Sequence, residues 1–211
     1  MINKLTNFRE IKIGCISKGV LYRSNHPIYN GNIVENIILK ANKANIKTIL
    51  NLSDNIMFLK SKVKICPWYE NLINNNNVIA LNINMKFNIM ENNFTKKIKQ
   101  CILFIINHES PYLIHCEAGI DRTGFLSILL EAFMEARFEE IVKDYMLSFV
   151  DKNDYKEGEI FIKNIFGTMK GNLINTNENI KDLVDNYLKS KIGINENELN
   201  ILRNKLMNID I

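Results

Sequence analysis

One strand–loop–helix passage constrains this chain more than any other part of it. Pro111-Tyr112-Leu113-Ile114 is short and apolar and reads as a buried strand. His115-Cys116-Glu117-Ala118-Gly119-Ile120-Asp121-Arg122-Thr123-Gly124 follows directly as a tight loop, and residues 125–136 are rich in helix formers with one broad apolar face. A loop of this kind, feeding a buried helix, turns its backbone N–H groups into a concave anion site at the helix N-terminus. Cys116 opens the loop and Arg122 closes it.

Those residue types suit attack on a phosphate ester. A thiolate is the nucleophilic form of cysteine, and inward amides, the positive end of a helix dipole and a nearby guanidinium all favour it. The planar fork of Arg122 can grip two phosphate oxygens at once, which a lysine cannot do. Gly119 and Gly124 permit a sharp turn and close approach to a ligand. Thr123 is placed to donate to the Cys116 sulfur and steady it as a leaving group. His115 suits ordering the loop through its ring nitrogens better than acting as a base.

The segment resembles the signature of the cysteine-dependent protein tyrosine phosphatase superfamily: His-Cys, two residues, Gly, two residues, Arg, Ser or Thr, Gly. Leu21-Tyr22-Arg23-Ser24, Leu50-Asn51-Leu52-Ser53-Asp54 and Asp144-Tyr145-Met146 extend the likeness to small bacterial tyrosine or dual-specificity phosphatases. The resemblance implies in-line attack by Cys116, a phosphocysteine intermediate and its hydrolysis by water, with no metal and no other cofactor. It places substrate contacts on Glu117, Ala118, Gly119, Ile120 and Gly124. It leaves Arg23 as a buried structural arginine or one reaching the pocket mouth. A non-catalytic phosphate-binding module is the reading from a different class.

The leaving oxygen needs a proton, which a positioned carboxylic acid usually supplies. Well-known members of the superfamily carry an Asp on a separate mobile loop, yet residues 55–115 contain no Asp. Two candidates remain. Asp121, where many relatives have Gly, puts a carboxyl within the loop itself; it can also brace Arg122 or cap the helix. Asp54, after a strand, can face the same pocket or act as a turn residue.

Substrate class is read from the same loop. Lipid-phosphatase relatives often carry Lys at the position of Ile120, so Ile120 resembles protein-directed members. Glu117 would repel additional phosphates if it pointed inward. Phosphotyrosine in a phosphorylated protein, or another small aryl phosphoester, is the expected substrate. Phosphoinositides or inositol phosphates are the alternative.

The remaining chain sets bounds. With 211 residues and 46% hydrophobic content, it suffices for one good core, so residues 1–211 are expected to form a single phosphatase domain. A net charge of +4 suits an anionic substrate and falls short of a nucleic-acid-binding signature. Lys60, Lys62 and Lys64 read as a solvated face. Cys15, Cys66, Cys101 and Cys116 lack metal-ligand spacing, and a nucleophilic Cys116 must stay reduced, so a cytoplasmic location is expected. The N-terminus has no apolar core of signal-peptide length, and no run approaches membrane-spanning length.

Strands are predicted over residues 19–24, 48–52, 78–83 and 111–114. Helical spacing marks residues 33–41, 94–105, 138–149 and 180–188, and Asn195 with Glu198 forms a capping box for a last helix. The 74–77 asparagine run reads as a polar loop. The expected fold is α/β: a largely parallel central sheet flanked by helices, with a helical C-terminal part. The signature loop then lies at the carboxyl end of a central strand, where such folds bind ligands.

Overall fold

Successive residues of a strand point to opposite faces of its sheet. Leu113 packs into one apolar cluster with Ile49 and Val78, while Tyr112 and Ile114 pack into another with Leu21 and Leu50. That division organises the molecule. The computed structural model describes residues 6–29, 31–84, 86, 88–149, 155–175 and 178–209. Five strands form one sheet: β1 (Arg9–Ile11), β2 (Leu21–Ser24), β3 (Thr48–Asn51), β4 (Val78–Ala80) and β5 (Tyr112–His115), in the order β1-β2-β5-β3-β4. All neighbours pair in parallel except β1, which runs antiparallel to β2 at the edge. β5 is therefore central, with Ser24 and Asn51 flanking His115 at its carboxyl end.

Parallel strands need crossovers, and helices supply them. On one face α1 (Val34–Lys43), α2 (Ile56–Lys62) and α3 (Pro67–Asn74) contribute Ala41, Leu59, Tyr69, Leu72 and Ile73 to the smaller cluster. On the other lie α4 (Asn92–Asn107), α5 (Asp121–Phe133), α6 (Phe138–Met146), α7 (Tyr155–Lys170), α8 (Ile180–Tyr187) and α9 (Glu196–Met207). Every residue of α5 from Arg122 to Phe133 is buried, because an apolar surface on all sides demands a fully surrounded helix. No helix among the described residues is long and apolar enough to cross a membrane.

The α/β architecture matches the sequence expectation, as does the capping box. Asn195 Oδ1 accepts from the Glu198 N–H at 2.9 Å, and Glu198 Oε2 accepts from the Asn195 N–H at 2.8 Å. Three details differ. The fourth strand ends at Ala80 and not at residue 83, because Asn82 takes a left-handed φ of 44°. The helix after the signature begins at Asp121, so Arg122 and Thr123 occupy its first turn. β1, α2, α3 and α7 have no counterpart in the sequence reading; β1 is only three residues long. Lys60, Lys62 and Lys64 are exposed, as expected of a solvated face.

Truncation of Leu129, fully buried in α5, is expected to cost about 3 kcal/mol through lost burial and an unfilled cavity. Leu39→Ala, at an exposed position, should stay within about 0.5 kcal/mol. Urea unfolding of both variants measures the contrast.

Candidate active site

The signature loop is held by its carbonyl groups. Gly119 O accepts from Arg23 Nη2 at 2.9 Å and from Asn7 Nδ2 at 2.8 Å, and Glu117 O accepts from the His26 N–H at 3.1 Å. All three donors come from the segment carrying β1 and β2, which lies beside the loop because β2 pairs with β5. Carbonyls drawn to that side leave the loop's amides to the other, where an anion can take them. Gly119 has a φ of 68°, and a Cβ there would sit 2.4 Å from Ser24 O. No other residue fits that position without displacing the β2 backbone.

Cys116 lies at the base of the loop, 2% exposed. Arg122 is 5% exposed, and its Nη1 donates to Ile83 O at 3.1 Å. The Nε of Arg122 is buried with no hydrogen-bond partner. One end of the guanidinium is thus fixed to protein while another donor stays free for a ligand. The first α5 hydrogen bond runs from the Gly124 N–H to Ile120 O at 2.6 Å, so the preceding N–H groups of the helix have no intrahelical acceptor. Gly124 packs against Tyr145, whose Cε2 would lie 2.8 Å from an added Cβ. Thr123 Oγ1 is buried and unpartnered, so its expected bond to the Cys116 sulfur is not formed in this structure.

The two candidate acids occupy different settings. Asp54 is buried, and its Oδ2 faces His26 Nε2 at 2.7 Å and Asn51 Nδ2 at 2.9 Å. The Ile28 N–H donates to His26 Nδ1 at 3.1 Å, which puts the ring proton on Nε2, pointing at Asp54. Burial alone would push the Asp54 carboxyl up; bonds from His26, Asn51 and Tyr29 outweigh it and hold the group below its ordinary range. An ionised, fully engaged carboxylate is a poor proton donor. Asp121 is half-buried at the start of α5, with no hydrogen bond or ion pair to a described residue.

A buried polar chain leads from Asp54 to the loop. Asn51 Nδ2 also donates to Tyr69 OH at 3.2 Å, and that hydroxyl lies 2.8 Å from His115 Nε2. Burial, and then His26 beside it, hold His115 well below the usual imidazole range, so it is neutral. The ring orders the loop's entry and carries no charge.

Glu117 and Ala118 are exposed on the loop, and Ile120 is half-buried. The Glu117 carboxylate stands 3.9 Å from Arg122 Nη2. Arg23 is fully buried, consistent with the structural alternative. Sequence reasoning missed Asn7, Tyr69 and the Ile83 carbonyl, whose partners lie far along the chain. Among the described residues no group of His, Cys, Asp or Glu is arranged to hold a metal ion.

Gly119→Ala is expected to cost about 2 kcal/mol from backbone strain and to displace the loop enough to lower turnover of an aryl phosphate about 100-fold. Denaturation and steady-state kinetics measure the two effects. Asp54 should behave as a structural group. Its depressed folded-state pKa gives stability that is present above the unfolded value and lost as pH falls through the folded one. Asp54→Asn is therefore expected to lower the urea midpoint at pH 7, with the gap to wild type closing below about pH 4.

Comparison with known proteins adds family membership to this geometry. A model of the tyrosine phosphatase family matches residues 67–208. No curated protein sequence matches significantly. Among solved structures, the chain is similar to the core catalytic domain of the PP-IP phosphatase SIW14 from S. cerevisiae in complex with citrate. That match has 18% identity and a TM-score of 0.45, over 73% of this chain and 86% of that one. A second structure of the Siw14 catalytic core matches at 19% identity and a TM-score of 0.44, over the same shares.

Proposed function

The chain belongs to the tyrosine phosphatase family and is a cysteine-dependent phosphatase, and from that premise we propose that residues 1–211 act as one domain hydrolysing phosphotyrosine, with Cys116 as nucleophile. The observation that carries this reading is the state of Arg122. Its Nη1 is tied to Ile83 O while its buried Nε has no partner, beside a loop whose carbonyls are drawn away. That is a preorganised receptor for phosphoryl oxygens.

The Cys116 sulfur attacks phosphorus in line, and the bond to the ester oxygen breaks as the sulfur–phosphorus bond forms. Arg122 and the loop amides hold the equatorial oxygens, where charge is concentrated. Asp121 gives its proton to the leaving oxygen, then takes one from the water that hydrolyses the phosphocysteine. Thr123, with an unpartnered hydroxyl, donates to the sulfur as it leaves. Ile120, half-buried on the loop, supports an aryl ester because it offers an apolar contact and no additional cation.

A second reading has its own observation. Lys86 and Lys97 line a cleft of about 80 Å³ that includes Ile83, the residue whose carbonyl anchors Arg122. Two lysines against the single carboxylate of Glu91 leave the cleft one positive charge in excess, which favours a substrate with a further phosphate, such as an inositol phosphate or a phosphoinositide.

Specificity constants on phosphotyrosine, phosphoserine and phosphothreonine peptides, phosphoinositides and inositol phosphates decide between the two. Phosphotyrosine peptides should rank first; a higher rank for the inositol compounds would replace the proposal by its alternative. Cys116→Ser should abolish turnover while binding persists, and a wild type that binds without turnover would be a phosphate-binding module. Asp121→Asn should slow hydrolysis of an alkyl phosphate by about 100-fold or more and affect a nitrophenyl ester less, since general-acid help matters most for poor leaving groups. Equal rates for mutant and wild type on the alkyl ester would remove Asp121 from the role.

A further inference from the structure

Against the signature loop, largely shielded from solvent, four ionisable side chains from four elements meet. Arg23 of β2 is fully buried; Nη1 donates to Asp144 Oδ2 at 3.1 Å, and Nη2 donates to Gly119 O at 2.9 Å and Ser148 Oγ at 3.1 Å. Arg9 of β1 donates from Nε to Asp144 Oδ1 at 2.9 Å, and from Nη2 to Asp144 Oδ2 at 3.0 Å and Ser148 Oγ at 3.0 Å. Asp144 projects from α6. Glu131 of α5 is fully buried, and its carboxyl hydrogen-bonds to that of Asp144.

The charges do not cancel. Burial pushes the Arg23 guanidinium down to about 10, which still leaves it protonated at neutral pH. Burial would push the Asp144 carboxyl up, but Arg23 and Arg9 prevail and hold it below its usual range, as a carboxylate. Burial, and then the facing Asp144, push Glu131 well above the carboxylate range, so it is neutral. Geometry agrees: two buried carboxyl groups hydrogen-bond to each other only with a proton between them, and the arginines on Asp144 hold the charge there. Two guanidinium groups therefore face one carboxylate. Arg23 also feels one further group electrostatically, Cys116.

We infer that Arg23 is a positioning residue for the phosphatase reaction. The one positive charge in excess in the Arg9–Arg23–Asp144 cluster is the counter-charge of the Cys116 thiolate, and the bond to Gly119 O transmits the cluster's position to the loop. The inference assumes Cys116 to be the nucleophile. The groups facing Arg23 are Arg9 from β1, Glu131 from α5, Asp144 and Tyr145 from α6 with Ser148 just beyond them, and Cys116 from the loop. Arg122 and the neutral His115 belong to the same signature segment as Cys116. Glu131 serves by staying uncharged: ionised, it would neutralise the cluster and remove the attraction.

The test follows alkylation of Cys116 by iodoacetamide across pH 4–9, read by mass spectrometry of the Cys116 peptide, so that it does not depend on turnover. Full-length wild type is compared with Arg23→Met, Arg9→Met and Glu131→Gln. Loss of one buried charge should slow alkylation at pH 6 by about tenfold in Arg23→Met. The whole profile moves to higher pH, and Arg9→Met follows in the same direction. Glu131→Gln should reproduce the wild-type profile, because it replaces one uncharged group by another. Wild-type alkylation in folded Arg23→Met, or in Arg9→Met, would reduce the cluster to a structural brace and overturn the inference. So would a Glu131→Gln profile displaced to lower pH, which would mean that Glu131 is ionised. If Arg23→Met does not fold, the Arg9 and Glu131 variants decide. Retained hydrolysis in Cys116→Ser would instead overturn the choice of nucleophile, a separate failure.

Discussion

The Gly119 carbonyl accepts two hydrogen bonds, from Arg23 and Asn7, and the signature loop takes its shape from that attachment. A peptide group has one donor and one acceptor on opposite sides, so fixing the carbonyl outward commits the amide inward. The attachment also explains the left-handed glycine, because the loop must run close against the Ser24 backbone for Arg23 to reach it. β2 beside β5 makes the approach possible, and antiparallel β1 adds Arg9 to the same region.

Around this attachment the polar groups divide into two sets. Asp54, His26, Asn51, Tyr69 and His115 form a continuous hydrogen-bonded chain. Such a network rigidifies the site and has little freedom to exchange protons with a substrate. Arg122 and Thr123 form the other set, each with a buried polar atom that no described residue hydrogen-bonds, and Asp121 stands beside them near Tyr145. The first set is tied together internally, and the second keeps unengaged donors beside the loop. Ile83 anchors the second set, because the chain turns away from β4 at Asn82 and its carbonyl then meets Arg122.

Much of the fold was legible because its signals are local. The apolar run at 111–114, the period of Phe94, Ile98, Cys101, Ile102 and Ile105, and the Asn195–Glu198 capping box each lie within one element. The missed elements have weak or masked signals. β1 is a three-residue edge strand containing Arg9 and Glu10, which alternation cannot identify. In α7 the helical spacing of Ile162, Ile165, Phe166 and Met169 is present, but Gly158 and Gly167 obscure it. Pro67 at the first turn of α3 was a start signal that the short helix after it made easy to overlook. The helix after the signature begins four residues before its first apolar residue, Phe125, because its first turn carries the loop's polar residues.

The sequence alone determined the strand–loop–helix passage and the residues that can do the chemistry, since both depend on neighbours within about a dozen positions. It also supplied Asp54 and Asp121 as the two carboxyl candidates and could not separate them. Tertiary structure gave them different settings, by bringing His26 and Asn51 onto Asp54 and leaving Asp121 half-buried near Tyr145 with no hydrogen bond to a described residue. It likewise converted Arg23, one arginine on a short strand, into the contact between a buried charged cluster and a loop nearly a hundred residues away. The physical reason is the same in both cases. A side chain's charge and hydrogen bonds are set by what packs against it, and here those partners come from other strands and helices.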